Sequence, residues 1–299
     1  MGTTTLPATG APAAESRHGS LRRERRWAMI GAYIALAVFV VFFMTPPFHM
    51  LMTSLKSSAE IADLSGNPWI VSAPTLQNYW ELLTQGNYLI HFRNSVIVTV
   101  CTVLISMVVS TMAAFALARM KFWGSATLAT GVFLTYLVPE TLLFIPMFQI
   151  VGQLGLYNNL WAMVLIFPTL TVPFCTWIMI GYFASIPKEL DEAALIDGAG
   201  HLQMLWKIFI PVALPGILAA MIFAFTVSWA AFIYPIAFLV SSDQMVLTVG
   251  IVSDLIRADT FQWGKIMAGA LMAALPPLLV YAFLMDYYIA GLTAGATKG

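Results

Sequence analysis

Of the chain's 299 residues, 60% are hydrophobic and only 9% charged, against about 25% charged in an average soluble domain. So little polar surface cannot cover a soluble globule, which places the chain in a bilayer. Lys+Arg and Asp+Glu each number 14, so the net charge of +0 offers no electrostatic basis for a nucleic-acid partner.

Residues 1–26 read as a disordered cytoplasmic N-terminal tail, rich in Thr, Ala, Pro and Gly and closing on Arg22, Arg23, Arg25 and Arg26. The apolar run behind those arginines exceeds the roughly 7–15 residues of a secretory signal and lacks an Ala-x-Ala exit, so it reads as an uncleaved first helix. A hydrocarbon core of about 30 Å takes about 20 helical residues. On that measure the spans fall at 27–51, 93–119, 125–150, 159–183, 208–239 and 265–288, the third and fourth divided by the polar, glycine-bearing stretch Gly152 to Asn159. Pro211, Pro215 and Pro235 have no polar turn between them, so 208–239 is read as one long or kinked helix. Six spans put both termini on one side. Ten of the Lys and Arg residues lie on that side and four, Lys56, Arg93, Arg257 and Lys265, on the other, so the positive-inside rule makes both termini cytoplasmic.

Enzyme motifs are missing. The chain has no His-Glu-x-x-His and no Gly-x-Ser-x-Gly. Its one Gly-Lys pair, Gly264-Lys265, has Asp259 and Ile266 where a phosphate-binding loop needs glycine and a hydroxyl. Cys101 and Cys175 sit apart in apolar stretches, and His49, His91 and His201 are scattered, so neither a disulfide framework nor a metal site is expected.

The informative segment is the loop between the fourth and fifth spans, 186–211. Pro187 suits a first helical position, and Glu189, Asp191 and Glu192 follow where the helix dipole favours negative charge. Gly198 and Gly200 allow a turn, and Leu202, Leu205, Trp206 and Phe209 begin a second helix. By geometry alone, this is a helix-turn-helix that could equally be an interfacial amphipathic loop. Its residues say more: Glu192-Ala193-Ala194, Gly198 four positions beyond Ala194, and Ile208-Phe209-Ile210-Pro211 resemble the Glu-Ala-Ala loop of ABC importer permeases, with Ile210 in place of the usual Leu.

The resemblance extends over residues 27–299. Pro74-Thr75-Leu76-Gln77-Asn78-Tyr79, Phe92-Arg93-Asn94-Ser95, Ala113 to Arg119 and the closing Gly291-Leu292-Thr293-Ala294-Gly295-Ala296-Thr297-Lys298-Gly299 are similar to the carbohydrate (MalG-like) permease branch. It implies an all-α polytopic membrane protein with six transmembrane helices in the type I ABC importer permease fold, in the cytoplasmic membrane of a prokaryote. It also implies a permease subunit of an importer for a sugar, oligosaccharide or related polyol, not itself an enzyme. The implied partners are a second, MalF-like permease, two ATP-binding subunits that hold ATP and Mg, and an extracytoplasmic solute-binding protein; this chain would bind no cofactor. Glu192, Ala193, Ala194, Leu195, Asp197 and Gly198 would couple it to the ATPase, and the C-terminal tail 291–299, with Thr293, Gly295 and Lys298, would either reach the same partner or end as a frayed terminus. The sequence departs from the branch at Ala230, where an Asn is usual after Trp229, and at Asp286-Tyr287-Tyr288.

Pathway candidates are fewer. Glu140, beside Pro139, is the one acid well inside an apolar interval, where charge is costly unless it meets water or a partner. Trp229, Phe232 and Tyr234 have two readings, stacking on sugar rings or packing between helices. Two rival functions remain open at this point: a self-sufficient channel or secondary carrier, and an ABC permease for a non-sugar solute.

Overall fold

The computed structural model describes residues 14–63, 65–120, 122–257 and 260–294. Helix α1 (Ala14–Ser54) is apolar all round beyond Arg26, and residues 27–48 are exposed throughout in the isolated chain. Such a helix faces lipid or another membrane subunit. The disordered tail expected over 1–26 needs correction, because α1 already begins at Ala14. Residues 14–26 are mostly Ala, Glu, Leu and Arg without proline, so helix propensity carries α1 beyond its apolar part. Residues 1–13 lie outside the described residues.

Two short helices follow, α2 (Ser58–Ala62) and α3 (Gln77–Gln85). Asn78 on α3 donates through Nδ2 to the carbonyls of Ser54 (2.9 Å) and Lys56 (2.8 Å), pairing acceptors that α1 leaves open at its C-terminus. Glu81 lies 2.7 Å from Lys265, and this ammonium, with Gln77, holds the carboxyl below the ordinary range.

The centre of the bundle is the pair α4 (Tyr88–Arg119) and α7 (Trp161–Ser185). Thr99, Thr102, Ser106 and Ser110 recur at helical spacing on α4 and are buried. Ser106 Oγ and Thr171 Oγ1 share a 2.6 Å hydrogen bond, and Ser110 Oγ donates to the Val172 carbonyl at 3.2 Å. Small side chains let two helices approach closely, and hydroxyls bond across the gap where hydrophobicity alone supplies no adhesion.

The span expected over 125–150 is a bent pair of helices. Helices α5 (Ser125–Tyr136) and α6 (Glu140–Gln153) meet at 94°. Pro139 lacks an N–H and its ring pushes Val138 out of the helical region, so α5 ends and α6 starts afresh. Five helices are singly long and apolar enough to cross a membrane, and the bent pair, counted as one span, makes six.

Beyond α7 come α8 (Glu189–Ile196), α9 (His201–Met204), a π-helical turn (Leu205–Phe209), α10 (Ile210–Val212), α11 (Leu214–Trp229) and α12 (Ile233–Phe238). The interval 208–239 is therefore kinked, its first residues belonging to the loop's second helix. A short turn at Ser242–Gln244, α13 (Leu247–Leu255), a two-residue antiparallel ribbon of β1 (Ile256–Arg257) and β2 (Thr260–Phe261), and α14 (Trp263–Ala294) complete the described chain. Asn94 on α4 donates to the carbonyls of Asp243 (2.8 Å) and Met245 (2.9 Å), and Asn158 Oδ1 accepts from the amides of Val240 and Ser241. His91 Nε2 donates to the Ser242 carbonyl at 2.9 Å, and α13 crosses that imidazole at Gly250, where any side chain would overlap it.

Prolines inside helices leave carbonyls four residues earlier without an N–H donor. Pro277 does so to Ala273, and Trp229 Nε1 donates to that carbonyl at 3.1 Å. In the break between α11 and α12, the Ala231 carbonyl accepts from Thr248 Oγ1 at 2.6 Å. Trp229→Phe keeps the aromatic volume and removes one donor, so it should lower stability by about 1–3 kcal/mol, read as a lower midpoint of thermal unfolding in detergent.

Candidate functional site

Helix α8 forms where the sequence places its charges. Glu189, Asp191 and Glu192 fill the first turn, opposite the positive end of the helix dipole. Its end is closed by a glycine-dependent motif: the Gly198 amide donates to the Leu195 carbonyl (3.1 Å), and the Ala199 amide donates to the Ala194 carbonyl (2.9 Å). The second bond requires residue 198 to be left-handed, and its φ is +75°. Gly200 then opens α9, its amide donating to Gln203 Oε1 at 3.3 Å. The result is a tight hairpin of two short helices.

Its two faces differ. Glu192, Ala193, Leu195, Asp197 and Gly198 are exposed, and Ile196 is 86% exposed. Ala194 points the other way, buried against a core of Phe115, Met179, Phe183, Met204 and Phe209. Ala193 thus lies on the outward face, whereas Ala194 is small enough for α8 to sit on its own bundle. The outward face carries carboxylates together with exposed Leu195 and Ile196.

Sequence reasoning missed Arg119 as part of this site. It ends α4, its side chain is 5% exposed, and Nη2 donates to the Ile186 carbonyl at 2.6 Å. Nη1 lies 3.6 Å from Asp191 Oδ2, and the guanidinium stands 4.8 Å from the centre of the Phe209 ring. The available signal was a cation in the last turn of a membrane helix, which favours burial against carbonyls at the negative end of the dipole.

The pathway candidates separate. A cavity of about 450 Å3 lies at the bend between α5 and α6, lined by Tyr136, Pro139, Glu140, Thr169, Phe223 and Val227 among others. Glu140 is thus at a cavity wall, exposed on the first turn of α6. Tyr234 is buried and donates to the Glu140 carbonyl at 2.7 Å, packing on Phe144 and Phe238. Trp229 is buried between Phe92 and Phe225 and caps Ala273, so of its two readings the structure selects packing. Phe232 is 39% exposed at the break before α12, away from the lining of that cavity. Of the C-terminal residues, Thr293 lies on the last helical turn of α14, with its side chain outside the described residues, as are Gly295 and Lys298.

Kinked membrane-spanning helices around a cavity, with an exposed two-helix hairpin on one end, define a multi-pass transport permease. The family described as binding-protein-dependent transport system inner membrane component matches residues 106–293, and the chain belongs to that family. It is 32% identical to the inner membrane ABC transporter permease protein YcjP of Escherichia coli strain K12, over 92% of this chain and 99% of that one. It is 31% identical to the sulfoquinovosyl glycerol transport system permease protein SmoH of Agrobacterium fabrum strain C58, over 89% and 93%. Among solved structures, the fold matches the crystal structure of a bacterial ABC transporter involved in the import of the acidic polysaccharide alginate, with TM-score 0.78 and 22% identity over 89% of this chain and 98% of that one. The fold is therefore that of a type I ABC importer permease.

Gly198 has open space around it, so a methyl group there meets no atom and acts only through backbone strain. Gly198→Ala should cost about 1–2 kcal/mol locally. Hydrogen exchange at the amides of residues 198 and 199 should then quicken by about 5–30-fold while the α4 and α7 cores stay protected.

Proposed function

We propose that the chain is one permease half of an ATP-driven, binding-protein-dependent importer of a sugar, oligosaccharide or related polyol. It works with a second permease of the same fold, two ATP-binding subunits that hold ATP and Mg, and an extracytoplasmic solute-binding protein. The observation that carries this reading is the α8 hairpin: rigidly closed by its glycine motif, seated on the bundle through Ala194, and presenting acidic and apolar side chains outward. The carbohydrate assignment draws on relatives whose names specify sulfoquinovosyl glycerol and diacetylchitobiose.

In the cycle, ATP binding closes the ATPase pair, which presses on residues 187–206. The hairpin passes that displacement to the membrane helices and opens the cavity at the α5–α6 bend to the outside. Glu140 and the hydroxyl of Thr169 give that cavity polar walls for passing hydroxyl groups, and the binding protein makes the main selection. Both termini face the cytoplasm, the side on which the hairpin meets the ATPase. The tail from Thr293 through Gly295 and Lys298 reaches the same subunits.

Gentle detergent extraction with mass spectrometry tests the assembly. Co-recovery of an ATPase, a second multi-span permease and a sugar-binding protein is expected, and recovery of this chain alone, with flux into ATP-free liposomes, would overturn the reading. In the assembled importer, Gly198→Val should leave subunit recovery largely intact and lower binding-protein-stimulated ATP hydrolysis at least several-fold. An unchanged rate would remove the hairpin from the coupling path.

A further inference from the structure

Arg119 lies outside the hairpin in sequence, yet it grips most of its parts. The carbonyls of Ile186 (2.6 Å) and Pro187 (3.4 Å), which Nη2 approaches, lie where α7 ends and the hairpin begins. Asp191, 3.6 Å from Nη1, is on α8 itself. Phe209, under the guanidinium face, belongs to the π-helical turn through which the chain leaves the hairpin. Phe209 in turn meets Phe115 of α4 and Phe183 of α7 edge-on, with ring centres 5.1 Å and 5.6 Å away. One planar side chain therefore joins the ends of α4 and α7 to α8 and to the helix behind it.

Besides Arg119, α8 is seated on the bundle core by the single methyl group of Ala194. Helix α8 is tied to α7 through extended backbone at Ile186, and to α9 through Gly198, Ala199 and Gly200. The Gly198 motif fixes α8 to α9, so a displacement applied to the hairpin would be absorbed at Ile186 and at the small Ala194 contact. A desolvated guanidinium resists such movement, because leaving its acceptors strands both the charge and the carbonyls without partners. Coupling between distant sites needs this kind of continuous physical link.

We propose that Arg119 is the positioning residue that makes α8 and the α4–α7 pair move as one body. This rests on the importer reading above and specifies where the hairpin delivers its push. Lysine would not substitute fully: it keeps the charge, but a compact ammonium offers neither the two-pronged fork nor the flat face that covers Phe209.

The test uses the full complex with its ATPase subunits, in a cysteine-free background. Spin labels go on Glu189→Cys, at the start of α8, and Val109→Cys, on an exposed position of α4. Distances between them are measured without nucleotide and with MgATP plus vanadate. With Arg119 present, the distance should be the same in both states. In R119Q it should shift or broaden by about 2 Å or more on adding MgATP, and R119K should fall between. If R119Q assembles too poorly to label, the wild type and R119K make the same comparison. Equal distances in variant and wild type, or a wild-type distance that itself changes with MgATP, would overturn the inference. A wild-type preparation that recovers no ATPase instead sinks the importer reading, and this inference with it.

Discussion

Inside a hydrocarbon layer no water is available to pair a peptide group, and each one left open costs several kcal/mol. This chain nevertheless breaks or kinks its helices at several prolines, and the bundle's architecture follows from how the resulting openings are closed. Trp229 meets the Ala273 carbonyl that Pro277 cannot serve, and Thr248 meets the Ala231 carbonyl left open in the break between α11 and α12. Each closure comes from another helix, so the same bonds that permit the kinks also lock α11 to α14 and the α12 break to α13.

These kinks are what give the protein a cavity. A set of straight apolar helices would pack into a solid bundle, whereas the 94° turn at Pro139 opens a space that Glu140 and Thr169 line. The opposite end of the molecule has the reverse character. There Phe115, Phe183 and Phe209 form a dense aromatic cluster under Arg119, and a rigid hairpin stands on it. The bend with its cavity and the tightly packed aromatic end are thus two different environments within one bundle.

The uncovered apolar surface completes the picture of a part rather than a whole. Helix α1 is exposed along its entire apolar length, and α6 presents Leu142, Ile145 and Phe148 outward. In a bilayer, lipid covers such surface.

Much of this was written openly in the sequence. The apolar intervals, the polar break from Gly152 to Asn159, and the spacing of Glu192, Ala193, Ala194 and Gly198 depend only on local composition, which sets where a helix can span and where a left-handed turn must fall. Orientation of individual side chains was not legible. Ala193 and Ala194 are adjacent and identical, yet one faces outward and the other is buried, because a helix turns about 100° per residue and only the packed core says which side is in. Trp229 read as a ring that could stack on a sugar until the Ala273 carbonyl, 44 positions away, was placed beside it. Arg119 and Ile186 are separated by 67 positions, and nothing local announces that they touch. Sequence thus determined which segments are apolar enough to enter the membrane and where the glycine turn after α8 falls, since both are matters of solvation and backbone geometry within a few turns. Tertiary structure alone decided which polar groups pair across helices, as Trp229 does with Ala273 and Arg119 with Ile186, because such partners are brought together only by packing.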